Sequence, residues 1–400
     1  MVANEFFQLE LGRLGGFGWA ARRIADVLRH SAPDVDLVYF TGELRRTDTK
    51  CETMVGGTRL LLRQSSLRAD IRRARAERPD VLLLIDYRPN YRWLCWALPR
   101  TPIIVWVRDP RPPDDVAKVH TLRIPGTNGL RPKSTLQPDC SSLGTIARVS
   151  RLLRRPVWFA GTASYLGAKL SRMLRMEIPE FSFLPNPVDL PVGDRTKASR
   201  PRVAFLARLD PYKRPWLYVD LARRFPDVEF LMAGHAHYRG EGAWEPTDLP
   251  SNLRILGHVD GPSKVDLLRS AWVLVNTSIH EGLAVSMLEA LACETPLLAC
   301  VDPGGLVSQF GVFAGRFDGD GLDALPSLEA GLGRLLRHTD VRRRLGSEGR
   351  QWVTRTHNPE TFLTAFRLLC TKAGASGTLL GADRREDGLP DIGVQAAIRR

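Results

Sequence analysis

The stretch Val273-Leu274-Val275-Asn276-Thr277, continued by Ser278-Ile279-His280-Glu281-Gly282-Leu283-Ala284-Val285-Ser286-Met287-Leu288-Glu289-Ala290, runs from apolar residues through a short polar turn into a helical pattern. An apolar run without alternation fits a strand covered on both faces, as parallel sheets require. The same rhythm recurs outward from it. Runs at Val203–Arg208, Val228–Gly234, Leu253–Gly257 and Pro296–Val301 share the second half of the chain, and Val35–Phe40, Val81–Asp86, Ile103–Arg108 and Val157–Ala160 occupy the first. Strands alternating with helical stretches read as α/β architecture with parallel sheets. Between the two sets lies Pro185-Asn186-Pro187-Val188-Asp189 and a polar stretch to Arg200, where Pro, Gly, Asp and Lys crowd without periodicity. That stretch reads as an interdomain linker.

Composition bounds the rest. A chain of 400 residues, 44% hydrophobic and 25% charged, has the profile of a globular protein of two or three domains. No apolar run approaches the roughly 18 residues of a membrane-spanning helix, and Met1 to Glu10 lack the features of a secretory signal. The expected location is cytoplasmic, extending to the inner face of the membrane. Cys51, Cys95, Cys140, Cys293, Cys300 and Cys370 form no Cys-x-x-Cys pair and meet no histidine cluster at metal spacing, so reduced thiols are expected. Lys and Arg number 57 against 44 Asp and Glu, a net charge of +13 that attracts polyanions. Nucleic acid is disfavoured among these, because neither a zinc-finger spacing nor an RNP-type aromatic motif is present.

Three segments carry chemistry. Gly15-Gly16-Phe17-Gly18 precedes an apolar stripe at Ala21, Ile24 and Leu28; glycines before a helix let backbone N–H groups approach an anion, and a plain tight turn fits equally well. Arg208-Leu209-Asp210-Pro211-Tyr212-Lys213-Arg214-Pro215 places two cations just beyond a strand, where open α/β sheets bind ligands. Arg208 can hold two phosphate oxygens and Lys213 adds a point charge, though a solvated loop has the same composition. In the third segment Glu281 sits in the turn and Glu289 about two helical turns later. The N–H groups of Leu283 to Val285 then point out of the helix start, suited to a diphosphate, with carboxylates at hand for sugar hydroxyls.

The joint order of these segments resembles the large family-four group of retaining glycosyltransferases (glycosyl transferases group 1), most specifically from Arg202 to about Gly305. Arg208 and Lys213 match its basic pair, Glu281 and Glu289 its two glutamates, Pro185-Asn186-Pro187-Val188-Asp189 is similar to its crossover, and Gly15-Gly16 looks like its N-terminal glycine loop. The resemblance implies a GT-B fold, α/β with two Rossmann-like parallel-sheet domains facing each other across a cleft. The expected division is an acceptor-binding domain at 1–188, a linker at 189–200, a nucleotide-sugar domain at 201–356, a helix at about 357–372 returning to the first domain, and a disordered tail at 373–400. It further implies that Arg208, Lys213 and Glu281 act on the donor diphosphate and sugar, with Arg108 beside them. Glu289 would take the ribose, Gly257, His258 and Val259 the base, and Gly16, Gly282, Leu283, Ala284 and Val285 the diphosphate by their backbone. Phe17 and Asp109 would face the acceptor, a glycan, lipid-linked or small molecule. The sugar would move with retained configuration from a nucleoside-diphosphate sugar, without a metal or other cofactor.

Departures from the family pattern raise their own expectations. Leu283-Ala284 stands for Phe-Gly, and Glu294 for a usual Gly. Arg108 stands where a His commonly ends the strand; it either reads a substrate anion or pairs internally with Asp109 or Asp86. A Rossmann-like half should open with a full strand, yet only Met1-Val2-Ala3 precedes Asn4, from a truncated strand or an internal start. Arg108 to Ser142 reads as a helix-free segment too long for a mere connection, hence acceptor-shaping. Leu67, Ile71 and Ala74 form a stripe among arginines that either rests on anionic membrane or packs on a sheet, the second being the commoner arrangement. Competing functions are a nucleotide-sugar epimerase of GT-B shape and a non-catalytic nucleotide- or glycan-binding protein.

Overall fold

The computed structural model describes residues 1–3, 15–44, 52–63, 66–85, 87, 91–127, 141–193 and 196–374. Asp86, residues 128–140 of the long segment, Cys51, Cys140 and the tail from 375 lie outside the described residues. The chain divides into two compact units.

The first unit opens with β1 (Val2–Ala3), α1 (Gly16–Ser31), β2 (Val38–Leu44), β3 (Glu52–Val55) and β4 (Thr58–Arg63), followed by α2 (Leu67–Ala76), β5 (Leu82–Ile85), α3 (Arg92–Ala97) and β6 (Ile103–Val107). The chain then forms α4 (Pro113–His120) before α5 (Ser141–Leu152), β7 (Val157–Gly161), α6 (Tyr165–Leu174) and β8 (Phe181–Phe183). The sheet order is β3-β4-β2-β1-β5-β6-β7-β8. Every pair is parallel except β3 with β4, a hairpin absent from the sequence reading. Its turn, Gly56-Gly57, takes φ of 54° and 77°, the left-handed pair that a tight two-residue hairpin demands. Val2 and Ala3 pair with β2, and Val2 pairs also with β5 on the other side.

The second unit comprises β9 (Arg202–Leu206), α7 (Pro215–Arg224), β10 (Glu229–Ala233), β11 (Leu253–Gly257), α8 (Gly261–Ser270), β12 (Val273–Asn276), α9 (Val285–Ala292), β13 (Leu297–Ala299), α10 (Leu306–Phe310), β14 (Gly311–Phe313), α11 (Leu325–Arg337) and α12 (Thr339–Thr356). Its all-parallel sheet runs β11-β10-β9-β12-β13-β14. Counted from its first strand, that is the doubly wound order 3-2-1-4-5-6, which reverses direction between β9 and β12.

Two segments leave the unit that sequence proximity assigns them. Helix α13 (Pro359–Lys372) lies in the first unit, where Phe362, Phe366 and Leu369 join the core of Ala20, Ile24, Leu28 and Trp106. The segment after β6, read as helix-free and part of the first domain, instead forms α4, and its residues 113–127 belong to the second unit. Val119, Leu122 and Ile124 are buried in the core built by Trp216, Leu217 and Phe230. The Thr121 hydroxyl accepts from Gly319 N at 2.9 Å. Burial decides the assignment: these apolar side chains find their partners in the second unit. The linker docks too, since the Lys197 ammonium donates to the Cys293 carbonyl (3.0 Å) and the Thr295 hydroxyl (2.6 Å).

Of the expected stripe on helix α2, Ala74 is buried, Ile71 is half-buried and Leu67 is 45% exposed, while Asp70 is buried beside them. Asp70 pairs with Arg63 at 3.4 Å, and Arg75 donates to the Ala97 carbonyl at 3.0 Å, so much of the basic face is committed to packing. Among the described residues no helix is long and apolar enough to cross a membrane.

Candidate functional site

Open parallel sheets bind ligands at the carboxyl ends of strands where the order reverses, which in the second unit means the segments after β9 and β12. After β9 the chain passes Arg208 and makes a 3-10 turn, Pro211–Lys213. The Lys213 ammonium reaches Glu281 Oε1 at 2.5 Å, and the two side chains are only 14% and 10% exposed. Ser278 Oγ (2.6 Å) and Asn276 Nδ2 (3.2 Å) donate to the same oxygen. Burial works to raise the Glu281 carboxyl, but the Lys213 charge and these hydrogen bonds outweigh it and hold the group below the usual carboxylate range. The result is a fixed cation and a fixed anion side by side at the reversal point.

The surrounding turn is stitched to the 3-10 turn. The Thr277 hydroxyl donates to the carbonyls of Lys213 (2.7 Å) and Arg214 (2.9 Å), and Ile279 N donates to the Tyr212 carbonyl. From α4, Asp115 comes within 3.5 Å of His280 Nδ1. Helix α9 starts at Val285 with Ala284 as its N-cap and no side-chain cap. Its first N–H groups, next to Gly282 and Leu283, suit an anion.

Arg208 takes other partners: Asp210 Oδ2 at 3.3 Å and His237 Nδ1 at 3.2 Å. Gly234 makes this arrangement possible. Its φ is 140°, and a Cβ there would lie 1.8 Å from the Ala207 carbonyl oxygen; no other residue lets the segments after β9 and β10 approach so closely. Glu289 is engaged by Lys264, 2.7 Å from its Oε1. Burial raises the Glu289 carboxyl, with Asp260 and Asp189 behind it, although Lys264 pulls the other way. Gly257 has φ 70° at the end of β11, and His258 beyond it lies 5.8 Å from His235, ring to ring. Val259 follows on the same edge. Burial lowers the His258 imidazole, with His235 and Lys264 adding to the effect against Asp260.

The residues expected at the first unit's site make contacts within that unit. Arg108 is 5% exposed, donates to Asn186 Oδ1 at 2.6 Å and lies 4.6 Å from the Trp106 ring and 5.9 Å from that of Phe17. Asp109 bonds Arg111 at 2.6 Å. Arg108 thus ties the end of β6 to the crossover, an internal contact beside the anticipated alternatives of charge reading or pairing with Asp109 or Asp86, the last of which lies outside the described residues. Gly16 is exposed and Gly15, extended at φ −148°, needs no glycine freedom. The usual family glycine at 294 has a clear physical counterpart: Glu294 sits at φ 57°, in the left-handed region.

Sequence reasoning missed Ser278 and Asn276, which no motif marked, and Asp115, which lies on an unanticipated helix. It also passed over Arg214, although that residue stands inside the quoted basic segment.

A 3-2-1-4-5-6 sheet is a doubly wound, Rossmann-like arrangement whose ligand crevice lies at the reversal point, where the buried Lys213–Glu281 pair stands. Residues 194–352, most of the second unit, match the family described as Glycosyl transferases group 1. The chain is 31% identical over 130 residues to a phosphatidyl-myo-inositol mannosyltransferase of Mycolicibacterium smegmatis, covering 31% of this chain and 33% of that protein. It is 33% identical over 119 residues to a D-inositol 3-phosphate glycosyltransferase of Mycobacteroides abscessus, covering 28% and 26% respectively. The alignments therefore span a third or less of those relatives' lengths. Sucrose-phosphate synthase from Thermosynechococcus elongatus is similar in fold, with a TM-score of 0.67 and 17% identity over 91% of this chain and 95% of that one. Anabaena HepE in complex with UDP-glucose gives 0.64 and 12% over 92% and 98%. The fold class is GT-B, with two Rossmann-like parallel-sheet domains, as expected from the sequence.

Proposed function

We propose that the chain is a glycosyltransferase that moves a hexosyl group from a nucleoside-diphosphate sugar to an acceptor with retention of configuration. The observation that carries this reading is the Lys213–Glu281 pair at the reversal point of a unit that matches glycosyl transferases group 1. When the bond from the sugar to the diphosphate breaks, negative charge grows on the leaving phosphate. Lys213, Arg208 and the start of α9 provide positive potential where that charge develops, and preorganised groups of this kind lower the barrier most. Glu281 stays ionised and accepts hydrogen bonds from donor-sugar hydroxyls. Because the chain supplies its own cations, the reaction requires no metal, and a chelator leaves the rate unchanged. The names of the relatives, an inositol lipid mannosyltransferase and an inositol phosphate glycosyltransferase, support a hexose donor and a polyol, lipid-linked or glycan acceptor. The UDP-glucose complex of the Anabaena structure supports a nucleoside-diphosphate donor.

The test is a thermal-shift and calorimetric screen of UDP-, GDP- and dTDP-sugars. A donor at a hundredfold its dissociation constant adds about 2.7 kcal/mol of stability. Proton NMR of the product then reads the anomeric configuration. Glu281→Ala is expected to lower turnover on the order of a hundredfold. Absence of binding to every nucleotide sugar, or near-normal turnover in the variant, overturns the assignment.

A further inference from the structure

We propose that Arg214 is a positioning residue that sets the geometry of the sugar-holding turn, an inference that rests on the transferase reading of the same site. Arg214 is 0% exposed, so its charge never meets solvent or a ligand directly. Its backbone takes φ 46° and ψ 54° at the junction between the 3-10 turn and α7. Residues other than Gly, Asn and Asp rarely take that conformation, and when one does the surroundings must hold it there. Here the surroundings are three carbonyls. Nε donates to Thr277 O (2.8 Å), Nη2 to Ser278 O (3.1 Å) and Nη1 to Phe317 O (2.8 Å). The guanidinium fork is rigid and planar, so three bonds from one side chain fix both distance and angle.

Each partner has a place in the argument. Thr277 and Ser278 open the turn that ends in Glu281, and Ser278 itself donates to the Glu281 carboxylate. Lys213 precedes Arg214, and its ammonium bonds the same oxygen. The third carbonyl, of Phe317, immediately precedes the turn Asp318-Gly319-Asp320, whose Gly319 N donates to Thr121. Gly321 completes the nest: a Cβ there would come 2.3 Å from Nη1, so the absence of a side chain leaves room for the guanidinium. Arg214 therefore joins the segment after β9, the turn after β12 and the turn after β14 through one group. Its function is to hold Ser278 and Glu281 at a fixed distance from the Lys213 ammonium, without touching the donor.

Two variants separate this role from backbone conformation and from general stability. Arg214→Gly relaxes the left-handed backbone but deletes the fork; Arg214→Lys keeps a cation but makes at most part of the three-carbonyl contact. Binding of UDP, GDP and dTDP is measured by calorimetry, and turnover by nucleoside diphosphate released from UDP-glucose, GDP-mannose or dTDP-glucose, whichever the wild type uses. The expected result is nucleotide affinity within about threefold of wild type in both variants. Turnover falls about a hundredfold in Arg214→Gly, since displacement of a reacting group by about 1 Å has that effect. Added guanidinium at millimolar concentration restores part of the turnover of Arg214→Gly and leaves the wild type unchanged. Turnover of Arg214→Gly within threefold of wild type overturns the proposal, as does a parallel loss of affinity and turnover. If Arg214→Gly does not fold, Arg214→Lys decides by the same split, and unchanged turnover in it is equally fatal. A wild type that binds none of UDP, GDP and dTDP refutes the transferase reading, and that outcome is seen before any variant is made.

Discussion

Removing the ammonium of Lys213 would leave the Glu281 carboxylate buried with two neutral donors, Ser278 and Asn276. In the wild type this carboxyl lies below its usual range. Its contribution to stability is present above the unfolded carboxylate value of about 4.3 and disappears as pH falls through the lower folded value. In Lys213→Met burial dominates and the folded value rises above the unfolded one. The contribution then reverses sign, being present at low pH and lost as pH rises. Urea unfolding of both proteins between pH 3 and 7 checks this, and parallel curves would contradict it. Glu294 gives a second expectation at this scale. It occupies the left-handed region, which disfavours a side chain by roughly 1–2 kcal/mol, so Glu294→Gly is expected to raise stability by about 1 kcal/mol in the same assay. Lys213 and Glu281 were legible in the sequence because a motif names them. Arg214 was not, because its significance lies in a backbone angle and in carbonyls 63, 64 and 103 residues away.

At the level of elements, α4 shows why a segment can be found and still be misplaced. Its prolines and glycines hide an eight-residue helix, and nothing local states which core its apolar face enters. Leu122, just beyond it, is 2% exposed within the second unit's core. Leu122→Ala is expected to lose about 2–5 kcal/mol, the usual range for such a truncation. Amide exchange should quicken in β9 and α7 while β5 and β6 keep their protection; quickening confined to β5 and β6 would mean the segment supports the first unit instead. The long apolar strands were legible because each run is buried on both faces. The strands β3, β8 and β14 were not, being three or four residues long and set at a sheet edge where pairing, not composition, defines them. The stripe on α2 was legible only in part: Ala74 is buried as expected, but Asp70 is buried too, paired with Arg63, and no apolar pattern announces it.

Across the whole molecule, the two sheets, the basic second unit site and the returning C-terminal helix follow from alternation of strands and helices, and this much was legible. Membership of the units was not, because the chain changes unit more often than one linker allows. Phe362 is fully buried against Trp106, with ring centroids 6.1 Å apart. Phe362→Ala is expected to cost about 3–5 kcal/mol and to expose β6 to exchange, with nucleotide binding by the second unit retained; loss of nucleotide binding alone would contradict it. That helix also has a temporal meaning. The first unit's sheet is complete once β8 has been made, yet its core still lacks Phe362, Phe366 and Leu369 until α13 follows. At synthesis speeds of about 5–20 residues per second, the interval is roughly 10–40 s. The unit translated first is therefore the last to receive its full core, only after all of its neighbour's helices have been translated.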